Sequence, residues 1–196
     1  MPRPRSEDRR NAILSAATRV IAAQGLGAPT AAIAKDAGVS NGSLFVYFGT
    51  KAVLLNELYV TLKKEMGAVA VAGLPVESDV REQVLHMWNQ WLRWATSCPE
   101  KRRALARLQV ADDITADSHR AVSSAFSGIA DLLERSRASG PMRDAPLGFV
   151  LTLTTAIADA AIDAIIREPA EAEARGSVAF EAMWRVLAGL SLPASA

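Results

Sequence analysis

Cysteine and histidine are nearly missing from this 196-residue chain, and each scarcity removes a class of chemistry. The single cysteine, Cys98, can form no intramolecular disulfide and no thiolate metal cluster, which suits a reducing compartment. His86 and His119 lie far apart in the chain and offer no metal-ligand spacing, so neither a metal site nor a cofactor is expected. Long apolar runs are scarce too. The longest candidate, GAVAVAGLP at 67–75, falls far short of the roughly 20 residues that cross a bilayer. The Arg-rich start MPRPRSEDRR leads into a segment interrupted by Arg19, unlike the unbroken apolar core of a secretory signal. A soluble, cytoplasmic protein without a membrane segment is the expectation. No Ser-His-Asp set or Gly-rich phosphate loop is present, so no catalytic residue is assigned and an enzyme is not expected.

Net charge is also small, because 22 basic and 21 acidic residues leave +1. That balance conceals an asymmetry. Residues 1–51 hold seven basic residues against three acidic ones, or +4, and the remainder holds 15 against 18, or −3. A basic head on a mildly acidic body favours counterion release from DNA by the head, while the alternative is an uneven scatter on a near-neutral protein. Arg3 and Arg5 in the first few residues suit a minor-groove arm, with a solvated tail as the competing reading.

Within the basic head, TAAIAKDAGVSNGSLFVYF at 30–48 has the pattern of two short helices joined by a tight turn. Ile33, Ala34 and Ala37 give the first helix a small apolar face, and Gly38 permits the turn. Ser40 is a good N-cap for the second helix, with Val39 and Leu44 at the spacing of a hydrophobic staple. Leu44 and Phe48 continue the inward face, which turns Asn41, Gly42, Ser43, Phe45, Val46 and Tyr47 outward. Small or flat groups of this kind suit a helix lying in a major groove. Upstream, Ile13, Ala16, Ala17, Val20 and Ile21 form a helical stripe over residues 8–24 that can cover the pair.

The run IAKDAGVSNGSLFVYFGTK resembles the DNA-binding motif of TetR-like (tetracycline-repressor-like) transcriptional regulators, over about residues 8–55. The resemblance implies an all-α protein with an N-terminal three-helix DNA-binding domain containing a helix-turn-helix. A helical ligand-binding and dimerisation domain would follow. The division is drawn at 1–51 and 52–196. By position in the motif, Thr30, Tyr47 and Lys51 would touch phosphate, and Ser40, Asn41, Gly42 and Ser43 would face bases, with Phe45 and Val46 beside them. The chain departs from the family where Phe45 replaces a common tyrosine, Val46 fills an often polar position and Ala31 is short. These departures imply fewer polar base contacts, more apolar contact with thymine methyls and more shape readout.

Downstream, a helix capped by Thr50 runs to about Gly73 through Leu54, Leu55, Leu58, Leu62 and Met66. Another, over 77–97, is opened by Ser78 and holds Met87, Trp88, Trp91 and Trp94. Its tryptophans either fill a core or line an apolar cavity. Pro99 to about Asp113 forms a short helix whose run of Lys101, Arg102, Arg103 and Arg107 reads as a solvated face. One long helix is expected from Thr115 to Ser139, and two more over about 146–167 and 171–190. The last two carry more apolar surface than one core-facing stripe needs, so they are either a dimer interface or enclosed in their own subunit. Asp159 and Asp163, four apart, face solvent, pair across an interface or accept a cationic ligand.

Together these features predict a homodimeric repressor that binds a palindromic operator in double-stranded DNA through its motif and pairs through its last two helices. A small apolar or cationic effector would release it, held by Leu62, Met66, Met87, Trp88, Trp91, Phe126 and Asp159. The alternatives are a ligand-independent regulator whose tryptophans fill its own cavity, and a helical enzyme acting on an apolar substrate.

Overall fold

The structure, a computed structural model, describes residues 4–189, with side chains from residue 6 onward. It is 79% helical, with no strand among the described residues, as the all-α expectation requires. In chain order the helices are α1 (Pro4–Gln24), α2 (Thr30–Asp36), α3 (Asn41–Phe48), α4 (Lys51–Val71) and α5 (Val80–Ser97). They continue with α6 (Pro99–Gln109), α7 (Ala116–Ala125), α8 (Ser127–Arg137), α9 (Leu147–Arg167) and α10 (Ala172–Ala188), the last preceded by a 3-10 turn at Pro169–Glu171. Helix α1 starts earlier than residue 8 because proline is well tolerated in a first turn. Of the arginine arm, Arg3 lies outside the described residues and Arg5 already belongs to α1.

The chain gathers into two compact units, one running from the N-terminus through Glu65 with Cys98–Ala125, the other from Met66 to Ser97 and from Phe126 onward. Compactness therefore groups residues differently from a cut at residue 51, since α6 and α7 belong with the N-terminal helices. In the first unit, α1 buries Ile13, Ala16, Ala17 and Ile21 against α2 and α6, and Leu44, Phe48, Leu54, Leu55 and Leu58 complete the core. Polar ties fix α6 and the segment after it. Lys101 donates to both oxygens of Glu65 at 2.6 and 2.8 Å, and the Arg107 guanidinium donates to the Ile21 carbonyl. The basic run of α6 is thus not simply a solvated face: of its four cations only Arg103 is exposed, and Lys101 and Arg107 reach acceptors on α4 and α1. Asn56 is the second clasp. Its amide donates to Ala52 O and Asp113 O, and its oxygen accepts from Thr115 N and Ser118 Oγ at 2.9 and 2.7 Å.

In the second unit, α5 buries Val84, Trp88, Leu92, Trp94 and Ala95 against α8, α9 and α10. Its cap is Asp79, whose carboxylate accepts from Glu82 N at 2.9 Å, and not Ser78. The carbonyl of Ser78 instead accepts from the buried amide of Gln83. Arg137, 6% exposed, donates to the carbonyls of Met142, Arg143 and Ala145 and pairs with Glu134, ordering the connection to α9. The single helix expected over 115–139 is two. It breaks at Phe126, whose backbone leaves helical geometry at φ −102° and ψ 9°. The Phe126 ring lies against the bare backbone of Gly67, where an added Cβ would come within 2.7 Å of it. That contact, invisible to periodicity, accompanies the break.

Helix α9 also corrects the apolar-length argument. By length and composition it is long and apolar enough to cross a membrane, with a mean hydropathy of 1.8 over its best window, although it carries Asp159 and Asp163. The sequence scan missed it because the two carboxylates interrupt the run.

At Gly140 an added Cβ would sit 1.9 Å from the Leu187 carbonyl oxygen, a backbone atom that cannot swing aside. Gly140→Ala should cost about 2 kcal/mol or more in chemical denaturation. Gly128→Ala, with nothing within 4 Å, should be neutral or stabilising. Tyr59 is 4% exposed, its hydroxyl 3.2 Å from His119 Nδ1, and burial pushes its phenol above the ordinary value of 10.0. The folded chain then holds that proton more tightly than the unfolded one, so the stabilisation is full below the ordinary value and is lost as pH rises through the raised one. Urea denaturation across this range should show a flatter alkaline decline for Tyr59→Phe than for the parent.

Candidate nucleic-acid interface

Helices α2 and α3 are held at an angle by a turn whose hydrogen bonds account for the sequence between them. Ala37 N donates to Ile33 O and Val39 N to Ala34 O, with Gly38 at φ +67°, a conformation that only glycine adopts without strain. Ser40 then caps α3 through a 3.1 Å bond from Ser43 N, and the Ser40 and Ser43 hydroxyls lie 2.9 Å apart. Gly49, at φ +66°, ends α3. Thr50 accepts from Val53 N at 3.1 Å and so caps α4.

This arrangement sorts the side chains as the apolar pattern predicts. Leu44 and Phe48 are buried at 0% and 2% exposure, while Asn41, Gly42, Phe45 and Val46 face solvent. Thr30, Ser43 and Tyr47 are half-buried, at the rim of the same surface. Helix α3 therefore presents a narrow ridge of small and apolar groups bordered by hydroxyls.

Lys51 is placed differently from the other expected contacts. Its ammonium donates to Leu26 O at 2.6 Å and Ala28 O at 2.7 Å, tying α4 to the loop between α1 and α2. Arg10, on α1, pairs with Glu57 and lies over the Phe48 ring at 5.3 Å. Arg19 binds Asp36 at 2.6 Å and links α1 to α2. Counting the whole first unit, 14 basic residues against nine acidic leave +5, and the second unit is left with −4. The charge asymmetry seen at residue 51 thus sharpens when chain segments are grouped by packing.

The residues expected to hold an effector fall on both sides of the division between the units. Leu62, 2% exposed, belongs to the first unit, and the other six belong to the second. Trp88 is 3% exposed, and its indole donates to Gly176 O at 3.0 Å. It meets Trp91 edge-on at 6.3 Å and Phe180 at 6.2 Å, and Phe180 stacks on Trp184 at 6.1 Å. Met66, Met87, Trp91, Phe126 and Asp159 are half-buried. The sequence reading did not join Phe180 and Trp184 to this cluster, although their four-residue spacing on an apolar helix was the available signal. A cleft of about 230 Å³ opens in the first unit, lined by Arg10, Asn56, Glu57, Val60, Thr61 and Ser118. Its principal polar groups bind one another: Arg10 pairs with Glu57, and Ser118 with Asn56.

Residues 13–58, which contain α2, the turn and α3, match the sequence model of bacterial regulatory proteins of the tetR family. This chain is TetR-like. It resembles over nearly its whole length a TetR-family transcription regulator from Shewanella sp. PV-4, at 25% identity and a TM-score of 0.81, covering 90% of this chain and 96% of that one. A TetR-family regulator from Marinobacter aquaeolei VT8 superposes with a TM-score of 0.79 at 20% identity, covering 94% and 98%. The TetR-like regulator LfrR from Mycobacterium smegmatis, solved in complex with proflavine, does so with 0.66 at 19%, covering 94% and 99%. The last two likenesses concern the fold alone. The TetR-like chain thus carries the family's DNA-binding domain on a helical body, and the coarse function is that of a DNA-binding regulator.

Two of the three expected phosphate contacts, Lys51 and Tyr47, should separate experimentally. Lys51→Met strands two carbonyls that received charge-assisted bonds and should lower stability by about 1–3 kcal/mol along with any loss of DNA affinity. Tyr47→Phe should lower DNA affinity with a stability change of about 0.5 kcal/mol or less, read from paired denaturation and duplex titrations.

Proposed function

We propose that the chain is a homodimeric repressor which a small apolar or cationic effector releases from a palindromic operator in double-stranded DNA. The observation that carries the dimer is the unburied apolar surface of α9 and α10. Phe149, Leu151 and Ile166 on α9 are 53%, 40% and 43% exposed, and Val178 on α10 is 71% exposed, although the two helices pack on each other. Only a third of the apolar window of α9 is buried, which is low for a helix enclosed in its own subunit. A second copy of the same two helices would cover this surface in a four-helix arrangement about a two-fold axis. The axis would also set two α3 helices on half-sites about one helical turn, or a multiple of it, apart.

In this reading residues 1–51 read DNA and residues 52–196 bind effector and partner, in the cytoplasm, without catalysis. Thr30 and Tyr47 would meet phosphate, Asn41, Gly42 and Ser43 the base edges, and Ser40 would act through its cap. The effector would engage half-buried Met66, Met87, Trp91, Phe126 and Asp159. Leu62 and Trp88, packed in core, would respond indirectly. LfrR in complex with proflavine, a planar aromatic cation, supports a ligand of this class. Effector binding would favour a spacing of the heads that no longer fits the operator, a population shift that requires reciprocal coupling. The hydrogen bond of Trp88 to Gly176 O and its ring contacts with Trp91 and Phe180 favour the second reading, a regulator whose own tryptophans occupy the space.

Sedimentation and operator titration test both parts. Phe149→Glu with Val178→Glu, at exposed positions, should yield a folded monomer with operator affinity lowered by a factor of about 100 or more, and persistence of the dimer would remove the proposed interface. Proflavine, used as probe, should weaken operator binding by the same factor by which operator weakens proflavine binding. Binding without coupling would leave the ligand-independent reading.

A further inference from the structure

We propose that Val46 reads the C5-methyl group of a thymine in each half-site, with the bare backbone of Gly42 forming the recess into which the base edge comes. The proposal rests on the DNA-reading role of α3 and adds the chemical group that α3 selects. Val46 is 84% exposed, more than any other large hydrophobic among the described residues, and Phe45 beside it is 38% exposed. A β-branched apolar residue on the solvent side of an eight-residue helix contributes neither packing nor helix propensity to the isolated fold.

The rest of the ridge narrows what that side chain can serve. Ser40 and Ser43 engage each other, through the cap bond and the 2.9 Å hydroxyl contact, so the first turn spends hydroxyl capacity on its own geometry. Gly42 lies one turn before Val46 on the same face, about 6 Å along the axis. A Cβ built at Gly42 would meet only Ser40 Oγ at 3.9 Å, so the surface beside Val46 is open. The ridge is a recess followed by an apolar knob, set in a unit carrying +5 that draws in a polyanion. In the major groove the thymine methyl is the apolar group that base edges display, and a valine beside a vacant position is shaped to cover it.

Operator selected from a random duplex pool supplies the probe. Each thymine of the enriched site is replaced singly by deoxyuridine, which removes only the methyl, and affinity is measured for the parent chain, Val46→Ala and Gly42→Ala. At one thymine per half-site the parent should lose about four-fold on replacement, and about 15-fold when both half-sites are changed, the loss expected for one uncovered methyl per site. Val46→Ala should bind thymine and uracil operators equally. Gly42→Ala should bind the thymine operator more weakly while melting no lower than the parent. Both variants sit on open surface, so melting curves separate lost contact from lost fold. Equal binding of every deoxyuridine operator by the parent, or an unchanged thymine-to-uracil ratio in Val46→Ala, overturns the assignment while leaving α3 as a DNA reader. Enrichment only from a pool carrying 5-methylcytosine overturns the assignment to thymine. A pool that yields no site at all removes the reading role and this proposal with it.

Discussion

A helix of eight residues does not persist alone in water, where even good sequences are marginal below about 12–15 residues. The outward face of α3 therefore exists only while Leu44 and Phe48 hold the helix on the core of the first unit. The same docking decides what α3 shows. With those two side chains inward, helical geometry forces Asn41, Gly42, Phe45 and Val46 outward, so a single hydrophobic constraint both folds the motif and composes its surface. The surroundings reinforce it from several directions: Arg10 covers the Phe48 ring and pairs with Glu57, Ser40 and Gly49 bound the helix, and Lys51 ties the following helix to the loop before α2.

That core is larger than the motif. Helix α6 lies far along the chain yet packs on α1, with Arg107 on the Ile21 carbonyl in the last turn of α1 and Lys101 on Glu65. Asn56 clasps α4 to the segment that opens α7, satisfying both its donors and accepting from Thr115 and Ser118. Close-packed interiors transmit displacement, so a shift of α6 or α7 must be met by α1 and α4, which brace α2 and α3.

The aromatics of the second unit pack largely on one another. Trp88 donates its indole proton to Gly176 O, and the Trp91–Trp88–Phe180–Trp184 series shares ring contacts from α5 to α10. Apolar surface is instead left open on α9 and α10, where Phe149, Leu151, Ile166 and Val178 stand in solvent. Packing inside this unit is consequently tight where Gly140 approaches the Leu187 carbonyl, and incomplete at these four positions.

The sequence by itself determined the helical class, the turn at Gly38, the Ser40 cap, and the inward and outward faces of α3, because these depend on local geometry and on a period of 3.6 residues. It located most helix ends to within a few residues for the same reason. Tertiary structure decided the rest. The break at Phe126 goes with a ring resting on Gly67, the basic run of α6 is committed to acceptors on α1 and α4, and Lys51 serves two carbonyls in a loop before α2. Each of these joins residues separated by long stretches of chain. Such pairings leave no periodic trace, since the energy that selects them comes from partners that only folding brings within reach.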